Sequence, residues 1–325
     1  MRDLSQTLSE MINPSDYKEN RPVTLNVLQR VIGLLEHYAR LSELGRTLMI
    51  VPRAEANLFL RKLEMENEVH PDKQTKCIVL SLHSRRNLLF WRAVLLESQH
   101  FPLPLEDDRW SRFTEGGADI VLHTDASGIP KEWHHPNYSP TCLGVYVPPT
   151  PAKPQAQARA FVLPYAFLMG SDNVGLNCWN STLLELLPVF AEILLNPESY
   201  IGKTIAVYID NSSTVSIFSR LNPKKIYMAH FVEALNFTLA ALKCKVQFKW
   251  RRRRSSFPSE ISDDLTHCIF KNVRPGTECT RHSLPPPLQK VVTDTTCYWD
   301  HTLGSLRAEV KKYLIARIPT LSFSY

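Results

Sequence analysis

Four acidic residues stand at the ends of apolar runs or inside them. Asp125 closes Ala118-Asp119-Ile120-Val121-Leu122-His123-Thr124, and Asp210 closes Ile205-Ala206-Val207-Tyr208-Ile209. Glu185 sits within Ser181-Thr182-Leu183-Leu184-Glu185-Leu186-Leu187, and Asp263 within Ser259-Glu260-Ile261-Ser262-Asp263-Asp264-Leu265-Thr266. A carboxylate is costly to desolvate unless it is bonded or paired, and hard divalent cations are its usual oxygen-binding partners. Four such groups brought together would hold two ions and hydrolyse phosphodiesters. Each acid also has a plain structural reading. Asp125-Ala126-Ser127-Gly128 is good turn chemistry. Asp210 can cap the helix that Asn211-Ser212-Ser213 begins, and Asp263 with Asp264 can be solvated helix residues. Glu185 is the odd one, because it lies in a nearly continuous apolar stretch reaching Leu195, with Pro188 set to kink a helix or mark its first turn.

The elements that must position these acids read as strands at 118–124, 142–147, 159–165, 204–209 and 245–250, with helices at 181–195, 213–221, 226–242 and 259–267. Three strands in succession, then helix, strand, helices, strand and helix, describe an α/β fold: a mixed five-stranded sheet flanked by helices. In that order, strand-Asp, helix-Glu, strand-Asp and helix-Asp place four carboxylates at one edge of one sheet. Upstream, residues 1–110 read as a helical region. Leu25, Leu28, Val31, Ile32, Leu35 and Ala39 recur at helical spacing after Pro22 and a candidate cap at Thr24, and Gly45 ends that stretch. Further helical patterns run over Ala54–Met65 and Arg85–Ser98, and 77–82 is a short strand or a buried segment. Phe101-Pro102-Leu103-Pro104-Leu105 opposes both helix and central strand, which sets a domain boundary there. The α/β domain occupies 115–270. Residues 271–325 form a proline-punctuated tail with a short helix at 303–316.

The motifs in 115–270 resemble the ribonuclease H domain that accompanies reverse transcriptases in retroelements. Thr124-Asp125-Ala126-Ser127 is similar to that family's first-strand TDAS, Leu184-Glu185-Leu186 to its helical xEL, and Tyr208-Ile209-Asp210-Asn211 to its fourth-strand DN/DS. Ser259–Thr266 resembles NxxADxLS, which selects Asp263 over Asp264, and Gly144 matches the glycine of the second strand. Leu28–Leu35, Gly45-Arg46-Thr47 and Arg85–Leu96 resemble the polymerase thumb and connection region of DIRS-like, tyrosine-recombinase elements. The chain departs from the family in a longer insert at 128–141. It also lacks a histidine in the loop before the last helix, where many cellular members carry one.

The resemblance implies a ribonuclease H-like fold and Mg²⁺-dependent endonucleolytic cleavage of the RNA strand of RNA–DNA hybrids, with Mn²⁺ as a substitute ion. Catalytic and metal roles pass to Asp125, Glu185, Asp210 and Asp263, with Asp125 bridging two ions about 3.5–4 Å apart. Ser127 and Asn211 are implied nucleic-acid contacts. Arg251-Arg252-Arg253-Arg254, directly after the last strand, reads as a phosphate-contacting loop at the rim of the site, or as a solvated basic turn or nuclear targeting patch. No Tyr/Phe-x-Asp-Asp set between apolar strands precedes residue 118, so DNA synthesis by this chain is not expected. It reads as the downstream piece of a retroelement polyprotein, fragmentary or domesticated. The alternative is a catalytically inactive nucleic-acid-binding or protein-interaction module on the same fold.

Composition bounds these readings. The chain has 325 residues, 44% of them hydrophobic, which suits one large domain or two ordinary ones. The formal charge of +6 favours a polyanionic partner. Seven scattered cysteines without a C-x-x-C pair, no secretory signal and no apolar run of membrane-spanning length suggest an intracellular protein of cytoplasm or nucleus. In the tail, Cys279, His282, Cys297 and His301 have spacings that could hold zinc, or they are free thiols and surface histidines.

Overall fold

The structure, a computed structural model, describes residues 2–12, 22–39, 43–65, 76–96, 117–126, 141–151, 153–164, 181–223, 225–293 and 299–321. The chain divides into two compact units, Met1–Trp110 with Leu221–Phe237, and Ser111–Arg220 with Thr238–Tyr325.

The first unit is helical. It contains α1 (Arg2–Met11), α2 (Leu25–Ala39), α3 (Glu43–Leu48), α4 (Ile50–Met65) and α5 (Leu82–Leu96). A short antiparallel ribbon joins β1 (Pro22–Thr24) to β2 (Cys77–Val79), with Val23 opposite Ile78. Leu25, Leu28, Val31, Ile32, Leu35 and Ala39 are all buried, because their three- and four-residue spacing gives α2 one apolar face. Gly45 does not end a helix here. It lies inside α3, where a Cβ would come 3.0 Å from the Trp91 indole, so glycine serves close packing at this point.

The second unit carries a six-stranded mixed sheet, one strand more than the sequence suggests. Its strands are β3 (Ile120–Ala126), β4 (Cys142–Val147), β5 (Gln157–Val162), β6 (Thr204–Ile209), β7 (Lys245–Trp250) and β8 (Glu278–Ser283), in the order β7-β6-β3-β4-β5-β8. β3, β4 and β5 are successively antiparallel. β6 lies parallel to β3, β7 parallel to β6, and β8 parallel to β5. The added strand, Glu278-Cys279-Thr280-Arg281-His282-Ser283, is an edge strand with no buried residue, so no apolar run announces it. The C-terminal region thus supplies a strand and two helices, α11 (Pro286–Thr293) and α12 (Trp299–Arg317), where a tail with one short helix was expected.

The helix expected over 181–195 is interrupted. α6 (Ser181–Leu184) and α7 (Leu187–Leu195) flank a turn holding Glu185 and Leu186, and Pro188 falls in the first turn of α7, where its missing N–H is harmless. α8 (Ser212–Arg220) and α10 (Phe257–Thr266) complete the set, while α9 (Ile226–Ala241) belongs to the first unit as far as Phe237.

α10 packs Ile261 and Leu265 against Cys142, Tyr146, Ala158 and Ala160 on one face of the sheet. Side chains alternate along a strand, so Arg159 points to the other face. There it forms an ion pair with Glu192 of α7, and Tyr200 Oη donates to Glu192 Oε1 at 2.7 Å. No helix among the described residues is long and apolar enough to cross a membrane.

Candidate functional site

β3 and β6 run parallel with His123 paired to Tyr208. Two residues further along each strand, on the same face, come Asp125 and Asp210, so strand pairing alone sets these two acids side by side at the carboxyl ends of both strands. The α6–α7 turn delivers Glu185 to the same place. Thr214 Oγ1 of α8 donates to Thr182 O at 3.0 Å, fixing that segment against the helix that follows Asp210. Asp125, Glu185 and Asp210 each offer an oxygen within 4.8 Å of the others.

The local chemistry departs from the plain readings of these acids. Asn211 caps α8, its Oδ1 accepting from Ser213 N at 3.0 Å and Thr214 N at 3.1 Å. Asp210 is therefore not spent on the cap and lines the pocket with Asp125. The Asn211 side chain that the resemblance assigns to nucleic acid is engaged in this cap. Ser127 lies outside the described residues.

Asp263 is not one of that group of three, but it is close enough for its charge to raise Asp125 and Asp210. Its Oδ1 accepts from Arg253 Nε at 2.8 Å and also from Arg253 Nη2, and its Oδ2 accepts from Arg254 Nη1 at 2.8 Å. Arg253 Nε also lies 3.9 Å from Asp125 Oδ2, so a guanidinium stands between Asp125 and Asp263. Asp264 shares Arg254, whose Nη2 lies 3.5 Å from its Oδ1, and its Oδ2 accepts from Asn272 Nδ2 at 2.5 Å. Arg251 stacks over the Tyr208 ring at 4.3 Å. Of the four arginines read as phosphate contacts, Arg252 is exposed and makes no side-chain hydrogen bond or ion pair among the described residues.

Electrostatics mark the cluster. Burial first, and then the neighbouring Asp210 and Asp263, push Asp125 up to about 7 against the pull of Arg253. Burial, with Asp125 and Asp210 close by, holds Glu185 well above the ordinary carboxyl value. Asp210 is raised as well, again chiefly by burial. Glu185 is 5% exposed, and its Oε2 is buried with no hydrogen-bond partner among the described residues. Such an orphaned carboxylate oxygen costs free energy unless a cation or proton takes it up. An all-oxygen donor set of three acids with one unpartnered oxygen suits a hard divalent ion.

Sequence reading missed His123, Tyr208, Ser259 and Ser262, which line the pocket. The two ring residues sit two positions before Asp125 and Asp210, a spacing that could have flagged them. His123 stacks on Tyr208 with centroids 4.9 Å apart, and burial, followed by the Arg251 charge, pushes it down to about 3. Trp250, at the end of β7, is 57% exposed and donates from Nε1 to Asp210 O at 2.8 Å.

The tail residues do not assemble a zinc site from their first pair. Cys279 and His282 are an odd number of positions apart on β8, which sends them to opposite faces. His282 Nε2 instead bonds Thr280 Oγ1 at 2.9 Å. Cys297 and the His301 side chain lie outside the described residues. Comparison of the chain with protein-family models, curated proteins and solved structures gives no match.

Proposed function

We propose that the second unit is a metal-dependent nuclease of ribonuclease H type, cleaving the RNA strand of RNA–DNA hybrids. The observation that carries this reading is the convergence of Asp125, Glu185 and Asp210, with the buried Glu185 Oε2 left unpartnered. Three successive antiparallel strands followed by two strands parallel to the first support a ribonuclease H-like sheet, with β8 added at its edge. The motif resemblance supports a retroelement origin and a thumb- and connection-like role for the helical unit.

Asp125, Glu185 and Asp210 would hold Mg²⁺, or Mn²⁺ in its place. An ion so held supplies Lewis-acid activation of water and stabilises charge on the departing oxygen. The chain's own residues do the rest. Asp125 must give up its proton before it can ligate, so ion binding strengthens as pH rises toward neutrality. His123 is neutral at physiological pH and packs as a wall of the pocket. The exposed Arg252 would contact phosphate, and the exposed Trp250 indole would offer a face for a base.

The test is cleavage of a labelled RNA–DNA hybrid with Mg²⁺, comparing the full chain with Asp210→Asn. Wild type should cut the RNA strand, and the variant should lose about 100-fold or more in rate. Equal rates would end the enzyme reading. A second reading, a binding module without catalysis, is favoured by the Arg253 and Arg254 bonds that occupy Asp263. It predicts tight hybrid binding with no cleavage by either protein.

A further inference from the structure

We infer that His83, His230 and Glu233 form a binding site for a divalent transition ion of the zinc class within the helical unit. One donor atom from each lies within 4.8 Å of the other two. His83 is the second residue of α5, while His230 and Glu233 are three apart on α9 and therefore share a face of that helix. All three belong to the first compact unit.

The donor chemistry selects the ion. Two imidazoles and a carboxylate are a three-ligand zinc set that leaves a fourth position for water or another ligand. Magnesium and calcium prefer oxygen donors, so this site and the acid cluster differ in the class of ion they favour. Tetrahedral zinc with bonds of about 2.0–2.1 Å separates its ligands by roughly 3.3–3.5 Å. His83 Nε2 and Glu233 Oε2, now in direct contact, must open to that spacing to admit the ion.

A second observation points to a ligand. His230 is 4% exposed, and its Nδ1 is buried with no hydrogen-bond partner among the described residues. Glu233 is fully buried, which is rare for a carboxylate without strong pairing. Its surroundings resemble the outer support of a metal ligand, since Asn87 Nδ2 donates to Oε1 at 2.5 Å while Oε2 is directed at His83 Nε2. The His83 and His230 rings meet edge to face with centroids 4.9 Å apart. The His83 side chain is 15% exposed and gives the ion its way in. The competing arrangement is a metal-free His83–Glu233 pair beside a bystander His230.

The experiment uses the full chain, stripped with chelator and titrated with Co²⁺ and then Zn²⁺ in excess Mg²⁺, which saturates the acid cluster. One equivalent should bind, giving the visible absorption of four-coordinate cobalt without a sulfur charge-transfer band, and Zn²⁺ should displace it and raise the unfolding midpoint. His83→Gln and Glu233→Gln should each weaken binding by at least about 10-fold. If Glu233→Gln fails to fold, His83→Gln, at a partly exposed position, decides. No binding by wild type, a sulfur band, or undiminished affinity in His83→Gln would overturn the site. Hybrid cleavage is a separate readout, so the acid-cluster reading can fail while this one stands.

Discussion

A Cβ on Gly144 would come 2.1 Å from the carbonyl oxygen of Ser262. Gly144 is paired with Asp125 across the β3–β4 ladder, and Ser262 directly precedes Asp263 on α10. The missing side chain is therefore what lets the Asp263 helix lie close against the strand beside Asp125. Gly144→Ala should force that helix away, because the blocking atom is backbone and cannot rotate aside. The expected cost is about 1–3 kcal/mol of stability, as for other overpacked sites, with weaker Mg²⁺ binding. Urea denaturation and calorimetric titration of the variant would measure both, and an unchanged unfolding midpoint would contradict the close packing.

Stability should fall as pH rises when divalent ions are absent. Asp125 titrates at about 7 in the folded chain against an ordinary 3.8. Between those values the folded chain holds a proton that the unfolded chain has released, so stability is full below about pH 4 and is lost up to about pH 7. At about 1.36 kcal/mol per pKa unit, the loss from this buried group is on the order of 4 kcal/mol. Glu185 and Asp210 shift the same way. Mg²⁺ should flatten the profile by replacing protons, and Asp125→Asn should make it shallower without metal, the remaining slope coming from Glu185 and Asp210. Denaturation in chelator across this range tests the sign, and a rising profile would be incompatible with the burial of these acids.

Much of this site was written locally in the chain. The apolar runs ending at Asp125 and Asp210 fixed two strands, and their parallel pairing brings the acids together. The turn at Glu185 was half visible through Pro188. By contrast, β8 is polar throughout and owes its place to pairing with β5, which no local pattern encodes. The bonds from Arg253 and Arg254 to Asp263 depend on a tight turn in which Arg254 itself adopts φ +48°, a left-handed conformation uncommon for arginine. The His83–Glu233 contact spans 150 positions and follows from helix packing, not from spacing.

Arg253 now stands where it can compete with a cation for Asp125 and Asp263. Arg253→Gln should therefore tighten Mg²⁺ binding several-fold, since a fixed positive charge is removed beside the ligands. Arg252→Gln should instead weaken hybrid binding and lower the salt-dependence slope by about 1, the mark of one lost phosphate contact. Calorimetric Mg²⁺ titrations and hybrid affinities at several salt concentrations distinguish the two roles. Weaker Mg²⁺ binding in Arg253→Gln would mean that the guanidinium props the acids in place.

The Arg159–Glu192 pair offers a test of the scaffold away from the chemistry. Glu192 is 1% exposed, held by Arg159 and by the Tyr200 hydroxyl on the sheet face opposite α10. Removing one partner leaves a buried charge, whereas replacing both with apolar groups removes the desolvation cost as well. Arg159→Met should thus destabilise the chain by about 3–5 kcal/mol, and Arg159→Met with Glu192→Leu should recover most of the loss. The recovery depends on filling the space, so Glu192→Ala in the same background should recover less because it leaves a cavity. Urea denaturation of the three proteins measures the coupling, and equal destabilisation by the single and paired apolar replacements would show that the pair acts through shape alone.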